Sequence, residues 1–503
     1  MKGNCITEYQ QLELGKRRHF PRFHYFVLFL FILVCAGYYT APLLDSDFWW
    51  HIAAGSEIVS NKTLPSEDPF GVFLAIDSVR NDTVLKGAWL GQVVLYLLFD
   101  AGAENAVIAF RVIILLACIV LVYLRCRWLN IEPFALWLVL ILIGFNVYNF
   151  LGERPQLLSF LFSAMFFAVI DRAEQKADWQ WLILLPLIAV IWTNCHGGVL
   201  LGVALIGLWS TLKCFSSDSN QREKMFWLAA MCAVVLASIA TPNGIQTYLY
   251  LLDLENSVLQ SRTSEYVSTF QIHTLVGHRW SHIWIYTYYA VSIAAVITLM
   301  RLRLYRPMAI VLFLGVIGVL AFRYFIFFLI VAAPYVALGV QTLMRESISF
   351  NWRTRQIGNG LLVLALLVVL SVGIVRGMIF RGGFEESLYP VEIANFIDEK
   401  SLQGRAFNNM EWGGYLLWRL TPKIQLYIDG RMLDGGRLLP YTHILWATRP
   451  GIEWFERENF QLVILPHHGR FDQEKYKLID HLNRHTNWRL IYRDAKGVVF
   501  ARR

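Results

Sequence analysis

The chain has 503 residues, of which 56% are hydrophobic and 16% charged, and its formal net charge is +8. A soluble domain carries about a quarter charged residues, so the composition excludes an ordinary soluble protein and indicates a polytopic helical membrane protein. The positive charge does not mark a nucleic-acid partner, because the basic residues sit in short loops between apolar runs, as orientation signals do.

The first apolar run, YFVLFLFILVCAGYYTAPLL, is about 20 residues long. It is too long for a signal-peptide core and no small-residue cleavage site follows it, so it reads as a retained span after a cytoplasmic segment 1–24. Spans are expected at 25–44, 105–124, 133–150, 156–170, 179–195, 198–213, 225–241, 283–300, 307–321, 325–343 and 358–376, or about 11 transmembrane helices within 25–380. The stretch 87–101, GAWLGQVVLYLLFDA, is apolar but short and predicts an interfacial or re-entrant helix in a long first outer loop, 45–104. The seven cysteines form no CxxC pair and no disulfide framework. Lys and Arg concentrate in the loops GKRRHFPR, RCR, DRAEQK, KCFSSDSNQREK, RLRLYR and RESISFNWRTR. The positive-inside rule places those loops and the N-terminus in the cytoplasm, and the tail beyond 380 on the outer side.

Under that orientation, five polar clusters fall on the outer face, each at a span end. They are DSDFWWH (Asp45, Asp47, His51), GERPQ (Glu153, Arg154), WTNCHGG (Asn194, His196), ATPNG (Asn243) and AFRYF (Arg323). Ionisable groups at membrane depth are costly and usually line a site or pair with one another. Taken singly, the arginines could be interfacial anchors, the asparagines caps and His196 a packed histidine. The segment FWWHIAAGSEIV has an amphipathic helical pattern, with its tryptophans expected in the plane of the interface. A looser group, His273, His278 and His282, has a spacing that fits no standard zinc pattern.

From 381 to 503 the pattern alternates. GRAFNN, KIQLYIDG, FQLVILPH, WRLIYRD and GVVFARR predict strands, and EIANFIDEKS and QEKYKLIDHLNRH predict helices, giving a small soluble α/β domain. Trp412, Gly413 and Gly414 in EWGGYLLWRL suggest a tight strand-to-helix turn or close approach to a ligand. Asp429 and Arg431 in YIDGR fall at a strand end, where α/β sheets often bind ligands; a structural Asp–Gly turn with an ion pair is the alternative. No GxGxxG or P-loop motif occurs, which disfavours a nucleotide-sugar donor.

The ordered set DSDFWWH, GERPQ, WTNCHGG, ATPNG, NNMEWGGYL and YIDGR resembles the GT-C superfamily of integral-membrane glycosyltransferases, in a large bacterial branch of it. The resemblance covers essentially the whole chain. It implies a hexosyl- or pentosyltransferase of the bacterial inner membrane, with a polyprenyl-phosphate sugar donor and a glycan, lipid or protein acceptor arriving from the outer side. By position, Asp47 or Asp45 would be the base. Arg323, with Arg154 as second candidate, would bind the donor phosphate, and His51, Glu153, His196, Asn194 and Asn243 would orient the acceptor or the carboxylate. Transfer to an alcohol needs a base for the hydroxyl and positive charge where the phosphate leaves, and arginine suits phosphate by its fixed fork of donors. A divalent cation, Mg2+ or Mn2+, held by Asp45, Asp47 and His51 could replace arginine in part. The C-terminal domain is expected to cover the catalytic mouth. A transporter of lipid-linked glycans and a non-catalytic scaffold of a polysaccharide assembly machine are the alternatives; the first should show polar groups at mid-membrane and repeated halves.

Overall fold

A computed structural model describes residues 22–70, 79–176, 178–217, 219–249, 266–271, 281–347, 352–431, 437–469 and 474–503. Most of the N-terminal segment 1–24 lies outside the described residues, as do His273 and His278.

Apolar runs become helices that pack around one hydrophobic core. In chain order they are α1 (Arg22–Tyr39), α2 (Phe48–Asn61), α3 (Val79–Lys86), α4 (Trp89–Trp128), α5 (Pro133–Val147), α6 (Gln156–Lys176), α7 (Leu184–Cys195), α8 (Val199–Phe215), α9 (Gln221–Ser238), α10 (Ser281–Arg301), α11 (Tyr305–Leu320), α12 (Phe325–Val331), α13 (Ala333–Ser347) and α14 (Trp352–Val375). Among the described residues six helices are long and apolar enough to cross a membrane, or seven if one bent pair counts as a single span. The expected number was about 11. The shortfall is physical: α8 and α11 run 17 and 16 residues, about 25 Å, short of a hydrocarbon core of roughly 30 Å. In addition, α9 begins with the charged turn Gln-Arg-Glu-Lys.

The stretch expected as a separate interfacial helix is the first part of α4. Gly102 and Ala103 break it from the part that spans, with Ala103 at φ 50°. Residues 322–345, expected to include one straight span, form two helices bent by 62°. Pro334 lacks an N–H, which leaves the Ile330 carbonyl without its helical partner. Arg125 Nη1 donates to that carbonyl at 3.2 Å, while Arg125 Nε donates to Asp171 Oδ2 at 2.7 Å and the Tyr335 hydroxyl donates to Asp171 Oδ1. A buried ion pair therefore holds the break in place.

After α14 the chain turns back along the segment leading to the acidic motif. Leu43 N donates to Gly383 O and Glu385 N to Leu43 O, both at 3.0 Å. Beyond lie α15 (Val391–Glu399), β1 (Gly404–Asn408), α16 (Met410–Leu420), β2 (Ile424–Leu426), α17 (Leu438–Leu445), α18 (Arg449–Arg457), β3 (Leu462–Pro466), α19 (Lys477–Arg484), β4 (Trp488–Arg493) and β5 (Gly497–Arg502). The sheet order is β2-β1-β3-β5-β4, with β2, β1 and β3 parallel and β5 antiparallel to both neighbours. Leu462 to Leu465 are all buried, as a strand covered on both faces requires. All five strands fall within the stretches that alternation predicts.

The tryptophans of α2 differ from expectation. Phe48 and Trp49 are fully buried, and Trp49 is ringed by Phe99, Phe384, Tyr389, Tyr415 and Trp418 at centroid distances of 4.6–6.3 Å. Their rings pack on protein instead of standing open to lipid. The amphipathic face of α2 packs on α4 and on α16, so protein covers the surface that composition alone assigns to lipid.

Candidate active site

The acidic motif sits in the turn between α1 and α2. Asp45 Oδ1 accepts from Asp47 N at 3.0 Å, and the Asp45 carbonyl accepts from Phe48 N at 3.3 Å. Asp47 thus precedes the first turn of α2, where the helix dipole favours a carboxylate. The loop before α6 approaches from the other side. Arg154 Nε lies 2.7 Å from Asp45 Oδ2, and Arg154 Nη1 lies 3.2 Å from Asp47 Oδ2. One guanidinium therefore joins the two carboxylates.

The neighbouring residue has a different fate. Glu153 is fully buried and pairs with Arg111, which also donates to the Tyr39, Ala41 and Leu151 carbonyls. Breaking such a pair would leave an uncompensated buried charge at a cost of about 3–5 kcal/mol. The pair fixes the loop that carries Arg154. Sequence reading missed Arg111, although a lone arginine in an apolar run calls for a partner.

The C-terminal domain closes over the acids through backbone. A Cβ on Gly430 would overlap Asp47 Oδ1. A Cβ on Gly414 would stand 2.5 Å from the Ser46 carbonyl, and one on Gly413 would stand 2.7 Å from Asp429 Cα. Both glycines of EWGGY are thus required for close approach, the first to the domain's own loop and the second to the membrane-proximal turn. Asn408, which the sequence offered only as part of NNMEWGGYL, holds that loop. Its Oδ1 accepts from Tyr427 N at 2.9 Å and Ile428 N at 3.3 Å, and its Nδ2 donates to Ile428 O at 2.7 Å. These groups gather at the carboxyl ends of parallel β1 and β2, the usual position for function in such sheets.

Arg431 is buried between two carboxylates. It donates to Asp429 Oδ2 at 2.7 Å and Asp68 Oδ2 at 3.1 Å, which ties the domain to the long first loop. Burial disfavours its charge, but Asp429 and Asp68 outweigh that cost and hold the guanidinium above its ordinary range. Trp412 does not face the acids; its ring lies where a Cβ on Gly497 would meet it at 2.8 Å.

The remaining sequence candidates gather at the same end of the helices. His51 stacks on Trp50 at 3.5 Å between centroids, and Gln92 Nε2 lies 3.4 Å from its Nδ1. Burial, then Arg154 and His196, push the His51 imidazole well below its ordinary value. His196 Nδ1 lies 2.9 Å from Ser159 Oγ and accepts from Gly198 N at 2.9 Å, while Trp192 Nε1 donates to Ser159 Oγ at 2.7 Å. Asn194 Oδ1 accepts from Trp89 Nε1 at 2.8 Å, and a Cβ on Gly87 would stand 3.4 Å from Asn243 Nδ2. Arg323 lies 4.8 Å from the Tyr266 ring centroid, and Phe322 stacks on Phe150 at 4.9 Å, four residues before Arg154.

The proposed metal ligands do not converge. Among the described residues no three His, Cys, Asp or Glu side chains form a set that could hold a metal ion. Arg154 stands between Asp45 and Asp47, and His51 is turned inward to Gln92. As placed, Asp45, Asp47 and His51 do not form a divalent-cation set.

No protein family and no curated protein matches this sequence. Solved structures do match. The oligosaccharyltransferase of Archaeoglobus fulgidus in the apo form superposes with a TM-score of 0.59 at 11% identity, over 88% of this chain and 69% of that one. The same enzyme in complex with Zn and sulfate gives 0.53 at 9% identity, over 88% and 68%. Arabinofuranosyltransferase AftD from Mycobacteria gives 0.57 at 13% identity, over 95% of this chain but only 40% of that protein's length. The chain therefore shares its fold with these two transferases. The likeness is one of fold, and it agrees with the resemblance drawn from the motifs.

Proposed function

We propose that the chain is a glycosyltransferase that moves a sugar from a polyprenyl-phosphate donor to an acceptor hydroxyl, by inverting single displacement. One observation carries this above the rest: Arg154 joins Asp45 and Asp47 under the C-terminal domain, which sets base and cation side by side. Asp47 takes the proton of the incoming hydroxyl, the hydroxyl oxygen bonds to the anomeric carbon, and the bond from that carbon to the phosphate oxygen breaks. The electron pair leaves on the lipid phosphate, where Arg323 and Arg154 offset the developing charge. His51, His196, Asn194 and Asn243 frame the acceptor side, and Glu153 acts through Arg111 by fixing the Arg154 loop. Residues 25–380 form the membrane domain of a bacterial inner-membrane protein, with the N-terminus cytoplasmic. Residues 381–503 form the extracytoplasmic domain, in which Trp412, Asp429 and Arg431 shape the cover over the mouth.

The test is purified protein offered a panel of polyprenyl-phosphate sugars with glycan, lipid and protein acceptors. Wild type should form a glycosidic bond and Asp47→Asn should not; equal product from both sinks the assignment. A transporter of lipid-linked glycans is the second reading, favoured by the helix break at residues 331–333. Against it, the carbonyl freed at that break is taken by buried Arg125. A transporter would move the lipid-linked sugar across vesicles without consuming it.

A further inference from the structure

The geometry points to Arg154 as the resident cation of the acidic motif, standing where a divalent ion would otherwise bridge Asp45 and Asp47. Three of the four carboxylate oxygens that such an ion would need have a partner, and the fourth is crowded by backbone. Asp45 Oδ1 accepts from Asp47 N at 3.0 Å, and Asp45 Oδ2 lies 2.7 Å from Arg154 Nε. Asp47 Oδ2 lies 3.2 Å from Arg154 Nη1, and Asp47 Oδ1 faces the backbone at Gly430. The candidate third ligand, His51, is buried with its Nδ1 toward Gln92. Hard divalent ions need several oxygens at about 2.0–2.6 Å in an open shell, and this turn offers none.

The arginine is also built in. Gly152, two residues before it, lies so close to the motif that a Cβ there would stand 2.8 Å from Asp45 Oδ2. The Arg111–Glu153 pair clamps the residue between them, so the loop cannot withdraw the guanidinium without breaking a buried ion pair. Two carboxylates this close repel each other and attract a cation. Here the chain supplies that cation as a side chain. The inference bears on catalysis through the proposed transfer reaction, but metal binding can be read without turnover.

The test titrates the full-length protein in detergent with Mn2+ and reads the free ion by electron paramagnetic resonance. Wild type should leave the free Mn2+ signal unchanged, as should Arg154→Lys, which keeps the charge. Arg154→Met should bind about one Mn2+ per chain, and the added Asp45→Asn should abolish it. Mn2+ bound by wild type and lost in Asp45→Asn would overturn the inference, as would a folded Arg154→Met that binds none. If Arg154→Met does not fold, Arg154→Gln takes its place, and the comparison of wild type with Asp45→Asn decides by itself. Where transfer is detected, a chelator should change wild-type turnover by less than about twofold, whereas a loss of about tenfold or more contradicts the inference. Absence of transfer with any donor counts against the proposed function and leaves the Mn2+ result standing.

Discussion

Two clusters in this molecule have the same composition, one arginine between two aspartates, and opposite surroundings. At Arg431 the side chains of the arginine, Asp68 and Asp429 are 3%, 4% and 13% exposed. At Arg154 the arginine, Asp45 and Asp47 are 25%, 12% and 24% exposed. Both join segments distant in sequence. The buried cluster is a clasp, because a sealed charge must stay paired. The open cluster is accessible, so its charges can exchange partners with a substrate at low cost. The chemical inventory does not separate a clasp from a site; solvent access does.

Substitutions can break or sharpen that contrast. The largest effect is expected for Asp47→Asn, which should lower transfer by roughly 10²–10⁴-fold with the thermal midpoint little changed; product formation and a melting curve check both halves. Arg431→Met should do the reverse. It strands Asp68 and Asp429 and costs about 3–5 kcal/mol, seen as a lower unfolding midpoint and faster proteolysis between the membrane helices and the C-terminal domain. If Arg431→Met melts like wild type, the clasp is not a clasp.

Gly430→Ala should cost about 1–3 kcal/mol, because its Cβ would overlap Asp47 Oδ1. It should also depress turnover, since relief requires the carboxylate to move. The smallest effect concerns His51. Its folded value is held well below the ordinary 6.5, so the unfolded chain binds the proton more readily. Stability should be complete above about 6.5 and fall by up to about 2 kcal/mol as pH drops toward about 5. His51→Gln should flatten that slope in melting curves taken across the range.

Much of the fold is legible in the sequence because its signals are local. The short apolar runs in GRAFNN and FQLVILPH are properties of a few adjacent residues, and the strands lie where they point. α17 and α18 were missed, although Thr448 with Pro450 is a helix-start signal and Thr448 Oγ1 accepts from Gly451 N at 3.3 Å. The site is legible only in part. The motifs name Asp45, Asp47 and Arg154, but nothing in their spacing says that one guanidinium joins both acids. Asp68 carries no local signal for its partner at Arg431, 363 residues away. The burial of Trp49 depends on α16, which packs over it, and composition alone does not announce that cover.

Where the C-terminal domain meets the acidic turn the contact is made by main chain: Gly414 on the Ser46 carbonyl and Gly430 on Asp47, with Gly413 clearing its own loop. A joint of this kind constrains three positions, beside the Arg431–Asp68 clasp and the aromatic ring around Trp49. Domain exchange between chains of this architecture should therefore depend on keeping those three residues small as well as on keeping the clasp and the aromatic ring. A graft with a bulkier residue at any of the three should fail to seat even when its side chains match.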